Sequence, residues 1–580
     1  MNSLRITFMT AYRARLPNYW DLLALVLVLA VIVLFALNAK QMTTPYHIGQ
    51  VIPISLDPAH LPFYAARTVI RMLIAMFLSL LFTFTFGTWA AKSKRAAKLI
   101  IPIIDVLQSV PILGYLSVAI TAFIALFPGS LLGPECAAIF VIFTSQAWNI
   151  ALGFYQTVRS VPAEVKEAAR MFHLSPWQSF WRIDVPFSLP GLLWNSMASM
   201  SAGWFFVVAS EAITVSNQQI LLPGIGSYIA VAIQAANLKA ITYAVLTMFL
   251  VIIIYDQLLF RPLVAWSEKF KSERETTSAD IAHSWVIDLF RRTRVMRQLG
   301  HKLAFLFELF VNIKIFRQKN QVPSQIKKTS VSHRITNWIW IISIFSIGAL
   351  ALFFLSKQII ENISWYEIGR VFMLGLITAF RVFILIVACS LLWVPIGVWI
   401  GLRPKVAQLA QPIAQIFAAF PANLFYPFIV MFIVYYHLSP NVWLTPLMIL
   451  GAQWYILFNV IAGASTIPKD LLQVADNLGV VGRLRWLRLL LPGIFPYYIT
   501  GAITAAGGAW NASIVAEVAS WGNEKLVATG LGAYITEYAV SGNFIHVALG
   551  IGMMCCFVLI INRLVWRPLY VYAVERFSLE

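Results

Sequence analysis

Runs of roughly 20 apolar residues recur along this chain, each long enough to cross a hydrocarbon core about 30 Å thick. They do not alternate apolar with polar residues, so they read as helices and not as strands of a membrane barrel. Composition agrees. Of 580 residues, 60% are hydrophobic and 12% are charged, about half the charged share of an ordinary soluble protein. A water-soluble chain of this length would divide into several domains, each needing polar surface that is missing here. The chain is read as an all-α polytopic membrane protein.

Apolar runs set against their charged borders place twelve spans. Six fall near 20–38, 64–91, 100–127, 134–154, 188–213 and 240–260, and six near 337–355, 370–401, 410–436, 443–463, 496–520 and 545–565. The first follows Arg5, Arg13 and Arg15 without a clear small-residue cleavage site, the pattern of a retained signal anchor. With the N-terminus inside, 35 of the 43 Lys and Arg residues fall in cytoplasmic segments, a strong positive-inside bias. Both termini are then cytoplasmic. The formal charge of +19 is spread among the spans, which suits a cytoplasmic membrane face better than a nucleic-acid-binding module.

A polar interval divides the chain into a first repeat (1–266), a basic linker (267–334) and a second repeat (335–580). Residues 261–334 hold 15 basic and 6 acidic residues. Within them the apolar run Leu303 to Ile313, broken by Glu308 and flanked by Lys302 and Lys314, is too short to span a bilayer. It reads as an amphipathic helix on the anionic inner leaflet or as a solvated linker with a sticky segment.

The halves superimpose as a duplication. At an offset of 306, Trp148, Pro162, Ala169, Pro186, Pro190, Trp204, Glu211 and Asn237 meet Trp454, Pro468, Ala475, Pro492, Pro496, Trp510, Glu517 and Asn543. Arg261-Pro262-Leu263 meets Arg567-Pro568-Leu569. Upstream the offset becomes 310, and Thr68, Arg71, Gly87, Trp89, Pro102 and Pro111 meet Thr378, Arg381, Gly397, Trp399, Pro412 and Pro421. An even number of spans per half makes the repeat parallel, with a pseudo-twofold axis along the membrane normal and a substrate path expected between the halves.

Between the fourth and fifth spans runs Ser160-Val161-Pro162-Ala163-Glu164-Val165-Lys166-Glu167-Ala168-Ala169, continuing through His173 to Arg182-Ile183-Asp184-Val185-Pro186. The second copy carries Gln473, Val474, Ala475 and Gly479, then Leu491-Pro492. Pro162 and Pro468 suit the first turn of a short helix. Ala168 and Ala169 permit close approach, and Glu167 offers a carboxylate to a partner's Arg or backbone donors. Gly479 suits a turn of positive φ, and His is among the few other residues enriched there.

This pattern resembles the EAA loop, EAA-x3-G-x9-I-x-L-P, of membrane subunits of binding-protein-dependent ABC importers. His173 replaces the glycine in the first copy, and the second has lost the glutamate. The resemblance implies the type I ABC importer permease architecture, here as a fused pair of permeases. It implies that Glu167, Ala168, Ala169, His173 and Pro186, with Gln473, Val474, Ala475, Gly479 and Pro492, form two ATPase-coupling segments. Two copies of an ABC ATPase would carry ATP and Mg. A periplasmic or lipid-anchored solute-binding protein would deliver solute at a bacterial cytoplasmic (inner) membrane. The chain has no GxxxxGK[ST] phosphate loop, so no cofactor and no catalytic residue is expected in it. Its 4 cysteines and 8 histidines are scattered, and no metal site is expected.

Symmetric ionisable residues inside spans mark a candidate path, since each costs roughly 2.5–3.5 kcal/mol at mid-helix. Arg71 and Arg381 each follow a threonine by three residues, and Glu211 and Glu517 lie seven after Trp204 and Trp510, near the outer half of their spans. The T-x-x-R pattern followed by glycine resembles the nitrate, sulfonate (taurine) and bicarbonate permeases, which implies a small anion as cargo. The arginines either face that anion, or serve as framework by pairing with the glutamates or by snorkelling to the outer headgroups. Asp105 and Asp256 lack acidic counterparts, facing Gln415 and Asn562 in the alignment. Ferric iron or polyamine permeases share the loop. A gradient-driven secondary transporter accounts for the duplication but not for the twin loops.

Overall fold

The computed structural model describes residues 52–270 except Ser216, residues 284–313 and residues 361–577, with isolated positions between 29 and 50 and between 346 and 360. Most of the expected spans 20–38 and 337–355 lies outside the described residues.

The first half runs α1 (Pro58–Lys92), α2 (Lys94–Ser109), α3 (Leu116–Leu126), α4 (Leu132–Ser160), α5 (Ala163–Met171) and α6 (Pro176–Glu211). An antiparallel hairpin, β1 (Ala212–Val215) and β2 (Gln218–Leu221), leads to α7 (Ile225–Gln234) and α8 (Leu238–Ser267). The linker contributes α9 (Trp285–Arg292) and α10 (Arg294–Val311). The second half repeats the pattern with α11 (Trp365–Gly401), α12 (Pro404–Ala419), α13 (Tyr426–Tyr435), α14 (Pro440–Met448), α15 (Gln453–Thr466), α16 (Lys469–Asn477) and α17 (Gly482–Ala516). Its hairpin, β3 (Val518–Trp521) and β4 (Glu524–Val527), precedes α18 (Leu531–Ser541) and α19 (Phe544–Phe577). Among the described residues seven helices are long and apolar enough to cross a membrane, and nine if each bent pair is one span.

Three expected spans are not continuous helices. Residues 100–127 divide into α2 and α3 just ahead of Pro111. In the second half α12 and Ala422–Tyr435 meet at 76°, and α14 and α15 meet at 43°. Proline clashes with a helical residue before it and drives that residue extended. Val110 and Phe420 accordingly have φ −73°, ψ 129° and φ −72°, ψ 127°. The spans expected to reach residues 213 and 520 stop at Glu211 and Ala516, and the chain turns into the hairpins.

Proline also explains four π-helical stretches, Phe180–Asp184, Asp256–Phe260, Trp486–Leu490 and Asn562–Trp566. Each ends two residues before a proline (Pro186, Pro262, Pro492, Pro568). A ring at that position clashes with the carbonyl four residues back, and wider winding relieves the clash. The stretches match in pairs at the offset of 306.

The halves interdigitate. The core around α11, α15 and α17 takes in Ile112, Leu113, Leu116 and Ile120 from the first half, while the first half's core takes in Ala419, Phe420 and Leu424 from the second. The amide freed at the first break is satisfied across the interface, Ile112 N donating to Asn511 Oδ1 at 2.7 Å. At the other break Asn423 Nδ2 donates to the carbonyl of Phe205 at 3.4 Å, and Phe205 is the counterpart of Asn511. The hairpins cross over as well: Asn217 N donates to Val540 O at 2.7 Å and Gly522 N to Ile233 O at 2.9 Å. Backbone at these breaks and hairpins is thus partnered by the opposite half, which is how non-helical backbone would be tolerated in a dry environment.

Candidate functional site

The loop segments α5 and α16 are both nine-residue helices, at equivalent positions. Pro162 and Pro468 stand at their N-caps. Ala169 and Ala475 are the buried residues of these helices, turned toward the bundle. Glu167 and Gln473 are exposed, Ala168 is half-buried and Val474 is 51% exposed. Each helix closes alike: Leu174 N donates to Ala169 O at 3.1 Å, and Val480 N to Ala475 O at 2.8 Å. Closure requires one left-handed residue, supplied by His173 at φ 51° and Gly479 at φ 65°. The helix tips then present bare apolar side chains, Met171 and Phe172 at 80% and 79% exposure and Leu478 at 74%. Pro186 and Pro492 begin the straight part of the following span, just past the π-helical stretches.

At the other end of α6, 36 residues long and so about 54 Å at 1.5 Å per residue, lies a buried charge cluster. Arg71 donates from Nε to Glu135 Oε2 at 2.6 Å, from Nη1 to Glu211 Oε1 at 2.7 Å and from Nη2 to Glu135 Oε1 at 2.8 Å. Arg67 Nη2 reaches Glu135 Oε1 at 2.6 Å. Glu211 also accepts from Thr68 Oγ1 and from the amide of Gly226, both at 2.6 Å. The cluster is formally neutral, and its carboxylate sits at the N-terminus of α7, where amides and helix dipole favour an anion.

The second half builds a sparser version. Thr378 Oγ1 donates to Glu517 Oε1 at 3.0 Å and Ala533 N to Glu517 Oε2 at 3.0 Å, again capping a short helix, α18. Arg381 Nη1 lies 3.4 Å from Glu517 Oε1, and its Nη2 donates to Asn441 Oδ1 at 3.2 Å. The places of Arg67 and Glu135 are held by Ile377 and Asn441, so one cation and one anion are exchanged together. Arg67 and Glu135 have no charged counterparts in the second half, so a pattern of charges shared by both halves does not reveal them. Charge balance was the available signal, since a buried arginine in a span demands a carboxylate. Trp204 and Trp510 are buried, stacking edge-on against Tyr255 at 5.6 Å and face-on against Phe557 at 6.4 Å.

Glycines make these latches possible. A Cβ on Gly226 would lie 2.2 Å from the Val208 carbonyl oxygen, and one on Gly532 2.4 Å from that of Ser513. Gly226→Ala and Gly532→Ala should each push the short helix off its glutamate, costing about 1–3 kcal/mol as overpacking does. A melting temperature of the purified chain checks this; an unchanged value in both variants would contradict it.

A second charge exchange lies between the halves. Asp256 accepts from Arg261 Nε at 3.3 Å and shares a small cavity with Gln415 of the other half. Across the axis Asp105 lies in the field of Arg567, with Asn562 in the place of Asp256. One interface thus holds Arg261, Asp256 and Gln415, while at the other Arg567 faces Asp105 and the residue aligned with Asp256 is an amide. Asp105→Gln should lower the melting temperature, and adding Asn562→Asp, which copies the other interface, should restore at least half of the loss. Additive losses in the double variant would show that the carboxylate cannot change helices.

Twin short helices and twin latches along one duplicated bundle agree with what sequence comparison finds. The profile of the binding-protein-dependent transport system inner membrane component matches twice, over residues 83–261 and 393–566, together more than half the chain. The chain belongs to that family. Both loop helices, with Glu135, Glu211 and Glu517, fall inside the family segments, whereas Arg67, Arg71 and Arg381 lie just ahead of them.

Similar family members include the glycine betaine/proline betaine transport system permease protein of Escherichia coli (strain K12), 30% identical over 28% of this chain and 44% of its own. The nitrate import permease protein of Leptolyngbya laminosa is 30% identical over 20% of this chain and 38% of its own. The bicarbonate transport system permease protein of Synechocystis sp. (strain ATCC 27184 / PCC 6803 / Kazusa) is 27% identical over 25% and 47%. The chain thus spans less than half the length of each of these relatives.

Proposed function

We propose that this chain is the permease of an ATP-driven importer and supplies both halves of the translocation path. The observation that carries the reading is the pair α5 and α16: same length, same place in each repeat, a buried alanine inward and an apolar tip outward. Exposed apolar side chains on a polar loop mark a protein contact. An ABC ATPase dimer offers two such contacts, and ATP hydrolysis belongs to those subunits, with ATP and Mg held there. Closure of the dimer draws the two loop helices together and opens the path at the latch end by rigid-body rocking of the halves. A solute-binding protein docks at that end. The loops lie on the cytoplasmic side of a bacterial inner membrane, with both termini on the same side.

Arg71 and Arg381 serve as framework in this reading. Each is balanced by a glutamate within a neutral cluster, so neither offers spare charge to a solute. The cargo we propose is a small anion, supported by the nitrate and bicarbonate relatives. The betaine relative favours a second reading, a compact quaternary-amine zwitterion.

Gentle purification of the chain from its native membrane tests the class. An ATPase present in about two copies per chain is expected; a solo chain whose uptake collapses with the proton or sodium gradient would overturn the proposal. Nitrate, bicarbonate and glycine betaine, tried in turn on the co-purified binding protein by calorimetry, then separate the two cargo readings.

A further inference from the structure

The linker helix α10 does not lie by itself. Trp177 Nε1 donates to the carbonyl of Phe310 at 3.1 Å, Gln178 Nε2 to Asn312 Oδ1 at 3.1 Å, and Arg182 Nη2 to the same oxygen at 3.3 Å. Trp177 meets Phe310 with ring centroids 5.1 Å apart, and Trp181 meets Phe307 at 5.7 Å and 89° and Phe310 at 5.6 Å. Edge-to-face packing at these separations is attractive beyond its buried area. All four loop residues lie in Pro176–Asp184, the limb that carries the chain from α5 into the membrane.

Among the described residues the second loop has no equivalent contact. The counterparts of Trp177, Gln178, Trp181 and Arg182 are Arg483, Leu484, Leu487 and Arg488. Leu484 and Leu487 are 53% and 51% exposed, and among the described residues no linker helix lies against them. The indoles on the first loop are therefore matched to α10 and are not a general feature of the repeat.

Even while docked, α10 leaves Leu299, Leu303, Leu306 and Leu309 between 48% and 57% exposed. Its neighbours His301 and Lys302 are exposed too, and the interval 261–334 carries 15 basic against 6 acidic residues. An apolar stripe beside basic residues is complementary to the headgroup boundary of an anionic leaflet.

We propose that α10 is an interfacial strut: its leucines seat in the anionic membrane surface, and its Phe307 and Phe310, with Asn312 at its C-cap, hold the first coupling loop in place while the second stays free. The two loops then differ mechanically. An ATPase subunit on the first loop pushes against an element braced on the bilayer, and one on the second against an unbraced one. The contact stands apart from the importer reading; only its consequence for ATP coupling rests on that reading.

Hydrogen exchange read by mass spectrometry on the full chain, in nanodiscs of mixed phosphatidylglycerol and phosphatidylcholine, tests it without any ATPase or solute. In Phe307→Ala/Phe310→Ala, exchange over 163–184 is expected to rise at least tenfold, with 469–490 unchanged. Trp177→Arg/Trp181→Leu, which writes the second loop's residues into the first, should do the same from the other side. Phe310→Tyr should retain protection. In wild type, replacing phosphatidylglycerol by phosphatidylcholine should speed exchange across 299–311. No change over 163–184, or an equal rise in both loops, would overturn the brace; indifference of 299–311 to lipid charge would overturn its seating in the anionic surface. Either failure leaves the importer reading to be decided by ATPase co-purification.

Discussion

Glu135→Asn is expected to destabilise the chain severely, and Arg67→Ile added to it to restore most of what was lost. In wild type Glu135 accepts from both Arg67 and Arg71 in a site with no solvent access. Removing one member of a buried charge set leaves an uncompensated ion, at a cost of about 3–5 kcal/mol. The second half shows what compensation looks like, because Ile377 and Asn441 stand where the first half has Arg67 and Glu135, and Arg381 bonds to Asn441 Oδ1. The double variant rewrites the first latch as the second and returns the cluster to neutrality. The expected readout is a large fall in melting temperature and membrane abundance for Glu135→Asn, and recovery of at least half in the double. A double variant no better than the single would mean that the cluster's geometry, and not its charge balance, holds α1, α4 and α7 together.

Glu167→Ala should reduce ATP-driven uptake roughly tenfold or more, and Gln473→Ala much less. Both residues are exposed on their loop helices, so neither substitution disturbs packing within the chain. Their difference lies in what they offer a partner. A carboxylate makes charge-assisted hydrogen bonds about twice as strong as those of an amide, and the first loop alone has kept it. Uptake and ATPase activity measured side by side separate weak docking, which lowers both, from lost coupling, which lowers uptake alone. Equal losses in the two variants would remove Glu167 as the source of the asymmetry.

Local features were legible where the chemistry is local. Pro162 and Pro468 marked where α5 and α16 begin, and the His173 and Gly479 positions marked the left-handed turns. Proline and positive φ act on their own backbone and need no distant partner. The hairpins and the short helices α7 and α18 were not legible. Their four-residue strands carry no periodic signal, and α7 and α18 are held by glutamates many residues away.

The sequence by itself determined the class, the duplication and the two loop helices, because apolar run length, an offset of 306 and the spacing of prolines are properties of the chain in one dimension. Only the tertiary structure decided that Arg71 meets both Glu135 and Glu211, that each half closes the other's core, and that α10 rests on the first loop. Those outcomes depend on which distant segments become neighbours. A buried charge is satisfied by whatever carboxylate the fold brings within hydrogen-bond reach, and that choice is made in three dimensions.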